Sequence, residues 1–292
     1  MTSPEFLPPR PALPDGMASI PPPQPPEPPP DPPSIAVWVP FAVMGIVFIA
    51  VGTFSAAVLG IAHAMNPSIK LDDPPDSLTI ALTLVQDAGL VLAAVLTIKI
   101  AYGRVQAADL GLRRVTRWGY ALKMMAALYA AFWIIALALE QIFGTPPKQE
   151  LVTELKAQQS FAILAGYAVL TCFVAPICEE IFFRGFVFTT FARKLGPVWG
   201  ALLAGAIFGA IHAPNPVLGL VALAVLGVAL CALYWTTQSI IPCMALHALN
   251  NSISFGATKS LDAWVFLALV IGSVGLVVAV ATAVSSRPAV TA

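Results

Sequence analysis

Charge is what this chain has least of. Only 10% of its 292 residues are Asp, Glu, Lys or Arg, while 58% are hydrophobic and the mean hydropathy is +0.84. A soluble domain carries about 25% charged residues, so a water-soluble enzyme of this size is excluded because it could not cover its surface. The same balance excludes disorder over most of the chain. The 15 basic and 15 acidic residues cancel, which leaves no global field to attract nucleic acid. Cysteine is also scarce. Cys172, Cys178, Cys231 and Cys243 lie in apolar segments without CxxC spacing, and they read as small buried hydrophobes rather than disulfide or zinc ligands. The zinc-protease pattern HExxH is absent. Residues 1–34 have no apolar core and do not read as a signal peptide.

What the chain does have is long apolar runs, each near the roughly 20 residues needed to cross a bilayer. Ile35 to Met65 contains no Asp, Glu, Lys or Arg; Leu78 to Tyr102 is interrupted only by Asp87 and Lys99; Trp118 to Phe143 follows. A fourth run, Phe161 to Cys178, leads into Glu179-Glu180. Leu195 to Thr258 then holds 64 residues without one such charge, punctuated by Pro197, Pro214, Pro216 and Pro242. That punctuation predicts spans near 197–213, 217–235 and 241–256, with a last span over Trp264 to Val284. The expected fold is an all-α polytopic membrane bundle of about eight transmembrane helices. Ahead of it, residues 1–34 hold 15 of the 27 prolines. They read as a disordered polyproline II tail, either a solvated extension or a segment for a partner with an aromatic groove.

Basic residues in short loops set the expected orientation. Loop 103–117 carries Arg104, Arg113, Arg114 and Arg117, and loop 184–196 carries Arg184, Arg193 and Lys194. Loop 66–77 sets one Lys against Asp72, Asp73 and Asp76. Loop 144–160, with Lys148 and Lys156 against Glu150 and Glu154, reads as an amphipathic surface segment. These signs place both termini in the cytoplasm and the protein in the cell membrane.

A charge at mid-bilayer costs several kcal/mol, about 2.5–3.5 on the gentler scales, so it needs a partner or a function. Glu179 and Glu180 sit where the fourth span would otherwise continue, and project about 100° apart on a helix. Glu180 and Arg184 are at i,i+4 and can pair, which leaves Glu179 to point elsewhere. Phe208 and His212 share a helix face, as do His247 and Asn251. Three helices can thus turn inward a carboxylate, an imidazole, and an imidazole with an amide. A carboxylate in an apolar pocket is a stronger base than in water; an imidazole can hold the same water, and a second imidazole with an amide N–H can stabilise an oxyanion. Taken singly, each signal also fits a structural ion pair, a packed histidine, or Asn250 and Asn251 joining helices. Asp87, beside Gln86, reads as an interhelical hydrogen-bonding group or one that approaches the site, and His63 as interfacial.

EExxxR (Glu179, Glu180, Arg184), FxxxH (Phe208, His212) and HxxxN (His247, Asn251), in this order, resemble the CPBP intramembrane proteases, the ABI family. That family includes the type II CAAX prenyl endopeptidases and bacteriocin-processing relatives. The likeness covers roughly residues 155–256, with no departure at the signature positions. Ala175-Pro176, Phe183-Arg184-Gly185 and Asp109-Leu-Gly-Leu-Arg113 also look like the family. The resemblance implies a helical membrane peptidase with its site in a cavity open toward the cytoplasm. Glu179 and His212 would activate water, His247 and Asn251 would form the oxyanion site, and Glu180 and Arg184, with Phe208, would support them or bind substrate. It further implies a scaffold over residues 35–150, a catalytic core over 151–258, and a last helix with a short tail over 259–292.

No cofactor is favoured; a divalent metal such as zinc, on Glu179, His212 and His247, is the alternative. The expected partners are the lipid bilayer and a membrane protein or peptide substrate, with nothing in the sequence that shows prenyl specificity. Two other functions fit the same composition. One is a non-catalytic membrane scaffold or bacteriocin self-immunity protein on the same fold. The other is a transporter with Asp87, Glu179 and His212 as a proton relay, which would call for two repeated halves, and the sequence has no such repeat.

Overall fold

In the computed structural model, residues 35–144, 155, 158, 160–213 and 216–285 are described. The Pro-rich tail, most of the amphipathic segment expected at 144–160, and the end of the C-terminal tail lie outside them. The apolar runs become eight helices among the described residues: α1 (Val39–Met65), α2 (Asp76–Tyr102), α3 (Trp118–Phe143), α4 (Phe161–Leu195), α5 (Pro197–Ala210), α6 (Val217–Thr237), α7 (Ile241–Lys259) and α8 (Ala263–Val284). Proline marks their starts. Pro40, Pro197 and Pro242 occupy the first turn of α1, α5 and α7, where a missing N–H removes no intrahelical bond. Gly103 and Gly196, at φ 71° and 81°, end α2 and α4. At α8 the Asp262 side chain accepts from the backbone N–H of Trp264 and Val265, a side-chain cap for two otherwise unpaired donors.

Six of these helices, α1, α2, α3, α4, α6 and α8, are long and apolar enough to cross a membrane, so the chain is a multi-pass helical membrane protein. Of the eight spans expected from the sequence, α5 and α7 fall outside that length and apolarity. Helix α5 has 14 residues and rises about 21 Å, against a hydrocarbon core of roughly 30 Å. Helix α7 has 19 residues, but His247, Asn250, Asn251 and Ser252 make it less apolar than those six.

The break expected after the glutamates is corrected. The loop read at 184–196 is helical through Leu195, and α4 runs 35 residues without interruption. Arg184, which looked like a loop residue, is only 1% exposed. Its charge is met inside the protein, so the helix has no reason to stop. Helix α4 is not uniform, however. Leu170–Val174 and Ile181–Phe188 are π-helical and flank the α-helical turn Ala175–Glu180; such wider turns gather at functional sites.

Close packing holds α5 in place. A Cβ at Gly209 would run into the Leu220 carbonyl oxygen, and one at Gly205 would meet Val228 and the Ala224 carbonyl oxygen of α6. The i,i+4 glycines therefore let the two backbones approach, as small residues do between membrane helices. That approach fixes Phe208, on α5, and His212, just beyond it. At another end of the bundle the basic residues gather: Arg193 donates to the Tyr102 hydroxyl at 2.8 Å, and the Arg113 carbonyl accepts from Ser239 Oγ at 2.6 Å.

Candidate active site

Glu180 is the best-connected polar residue of the core. Its Oε1 accepts from Arg184 Nη1 at 2.8 Å, the i,i+4 pair expected from the sequence, with both side chains buried. The same oxygen lies 2.9 Å from His247 Nδ1. This second contact, across 67 residues of sequence, has no signal in any local motif. Arg184 Nη2 also donates to the Gly227 carbonyl at 3.2 Å. One buried carboxylate and one guanidinium thereby tie α4, α6 and α7 together. Removing either would leave its partner charged in a low-dielectric interior, which costs about 3–5 kcal/mol.

Glu179 points elsewhere. It is partly buried, its Oε2 has no hydrogen-bond partner among the described residues, and that atom lies 4.0 Å from His247 Nε2. His247 therefore sits between the two glutamates. Because Glu180 is the acceptor, Nδ1 carries the hydrogen, and Nε2 is the nitrogen turned toward Glu179.

His212 lies two residues past α5, its Nδ1 2.7 Å from the Phe208 carbonyl oxygen. A carbonyl can only accept, so Nδ1 donates and Nε2 of the neutral ring keeps its lone pair. The Phe208 ring is the common neighbour of the group: it lies 5.2 Å from the His212 ring, 5.8 Å from the His247 ring and 4.6 Å from the Arg184 guanidinium. Phe208 is 1% exposed. It excludes water from one side of the Glu180–Arg184 pair and receives the guanidinium on its face.

Asn251 has different partners from the glutamates and histidines. Its Nδ2 donates to the Thr171 carbonyl at 2.8 Å, and its Oδ1 accepts from Asn250 Nδ2 at 3.3 Å. The Tyr129 hydroxyl donates to Asn250 Oδ1 at 3.4 Å. One N–H of the Asn251 amide is thus engaged and one remains. Thr171, Asn250 and Tyr129 are neighbours that the motifs do not name; the adjacent second asparagine was the only hint of them. His63, outside this cluster, lies 2.7 Å from the Ile69 carbonyl oxygen at the end of α1.

No three His, Cys, Asp or Glu side chains are grouped to share a metal ion among the described residues. Of the residues suggested for a metal, Glu179, His212 and His247, the last already has its Nδ1 engaged by Glu180.

Residues 161–253, from the start of α4 past Asn251, match a family model described as type II CAAX prenyl endopeptidase Rce1-like. This bears out the resemblance to the CPBP family. Uncharacterized protein YyaK of Bacillus subtilis (strain 168) is 30% identical over 90 residues, which cover 30% of this chain and 30% of that protein. The similarity thus spans under a third of the curated relative's length. No solved structure matches the chain.

Proposed function

We propose that this chain, whose residues 161–253 carry the core of the CPBP intramembrane protease family, hydrolyses a peptide bond in a membrane-associated protein or peptide. The observation that supports this most is the buried Glu179 oxygen, unpaired and 4.0 Å from His247 Nε2. A buried carboxylate without a structural partner is expensive, and this one lies beside the His247 imidazole.

In the reaction, Glu179 takes a proton from water while His212 Nε2 orients that water through its lone pair. The water oxygen adds to the substrate carbonyl. The resulting oxyanion is stabilised by His247, protonated at Nε2 beside the Glu180 carboxylate, and by the free N–H of Asn251. Glu179 then passes its proton to the leaving nitrogen, the C–N bond breaks, and the new carboxylic acid gives its remaining proton to the amine, so a carboxylate and an ammonium leave. Glu180 and Arg184 hold His247 in register. The cluster of Arg193, Tyr102, Arg113 and Ser239 faces the cytoplasm in this reading. Glu180 lies 15 residues before the end of α4, about 22 Å along the helix, so a scissile bond entering from that side has to reach deep between the helices.

The test compares host membranes carrying the wild type or Glu179→Gln, matched in abundance, by enrichment of new peptide termini. Wild-type termini that fall about 10²- to 10⁴-fold with the variant support general-base hydrolysis and name the substrate. A parallel sample with chelator reads metal dependence. Identical termini from both variants would move the non-catalytic scaffold reading to first place.

A further inference from the structure

Asp87 is a buried acid that the reaction above does not use. It lies near the middle of α2, is 2% exposed, and its Oδ2 has no hydrogen-bond partner among the described residues. Helix α2 packs against the Ala175–Glu180 turn of α4, and Asp87 is within electrostatic reach of both Glu179 and Cys178. On its other side α1 brings only Val47 and Val51 toward Gly89, and the run Ile35 to Met65 holds no Asp, Glu, Lys or Arg. No cation from α1 therefore compensates Asp87.

The charges around it do not balance if every acid is ionised. Asp87, Glu179 and Glu180 face one guanidinium, Arg184, which already pairs with Glu180. The remaining basic group facing Glu179 is His247, whose Nδ1 is also bound to Glu180. Two further buried carboxylates within electrostatic reach of each other in a low-dielectric interior repel unless they hold one proton between them. Both have an unpaired buried oxygen, Asp87 Oδ2 and Glu179 Oε2.

We propose that Asp87 is a positioning residue: it donates a hydrogen bond to the Glu179 carboxylate, directly or through one water, and so aims the base at the attacking water. The inference rests on the endopeptidase reading. The Asp87 proton is not consumed; the proton that moves goes from water to Glu179 and on to the leaving nitrogen.

The experiment uses the full chain in lipid vesicles and host membranes, with Asp87→Asn, Asp87→Glu and Glu179→Gln. Infrared spectra of the vesicles read the neutral-carboxyl C=O stretch. The expected result is a band present in the wild type at neutral pH, absent in Asp87→Asn and displaced in Glu179→Gln. In membranes, Asp87→Asn lowers the new termini ~10- to 100-fold at unchanged protein abundance, shifts their pH profile, and is partly rescued by Asp87→Glu. A band that Glu179→Gln leaves in place, together with wild-type yield and pH profile in Asp87→Asn, overturns the proposal while the protease reading stands. Should Glu179→Gln leave all termini intact, the protease reading and the positioning role both fall, whatever the band shows of the shared proton.

Discussion

Helix α1 has 27 residues, of which only Pro40 and Val47 are buried, whereas α7 has 19 residues and buries a dozen of them, including His247, Asn250 and Ser252. In α1 the large apolar side chains face outward, with Ile46, Ile49 and Ile61 each more than 60% exposed. A strongly apolar helix lies outside and one of the most polar lies inside, the reverse of a soluble protein. The hydrophobic effect drives α1 into lipid but does little to hold helices against each other once there. What holds the inner helices is close packing and satisfied polar contacts, and the same polar contacts supply the chemistry.

That contrast can be broken by measuring unfolding of purified variants in detergent. Arg184→Ala strands Glu180 and loosens His247, and the expected loss is about 3–5 kcal/mol; a loss below about 1 kcal/mol would show that the buried pair does not organise the core. Gly209→Val forces α5 off the Leu220 carbonyl and should cost about 1–3 kcal/mol, with His212 displaced and product termini reduced in the same preparation. Asp262→Ala removes the cap of α8 and should cost about 1 kcal/mol, visible as a lowered midpoint without loss of termini. Ile49→Ala, on the lipid face at 72% exposure, should stay within about 0.5 kcal/mol. If Ile49→Ala proves as damaging as Gly209→Val, α1 has a protein neighbour on that face and the contrast needs redrawing.

Much of this was legible in the sequence because it is local. Apolar run length gave the membrane helices, and i,i+4 spacing gave the Glu180–Arg184 pair and the stacking of Phe208 near His212. The rest depends on partners distant in sequence. Arg184 read as a loop residue because its local pairing with Glu180 does not announce that the pair is buried, nor that the Gly227 carbonyl of α6 takes its second nitrogen. Helix α5 ends three residues before the expected 197–213 span does, because Pro214 was the nearest stop signal and nothing in Ile211-His212-Ala213 marks the last turn. The Glu180–His247 bond and the engagement of Asn251 with Thr171 join α4 to α7, and no period within either helix encodes them.

The 14 residues of α5 carry one more consequence. Its rise falls roughly 9 Å short of an average hydrocarbon core; with Val198, Trp199 and Leu202 exposed on it, the expected response of lipid at this face is thinning, at fractions of a kcal/mol per Å. Beside this helix the headgroups and their water are drawn inward. His212, just beyond its last turn, then sits closer to bulk water than a full-length helix would permit. A thinner bilayer relieves the strain, so the protein should sort toward thin membranes and unfold less readily in short-chain than in long-chain lipid.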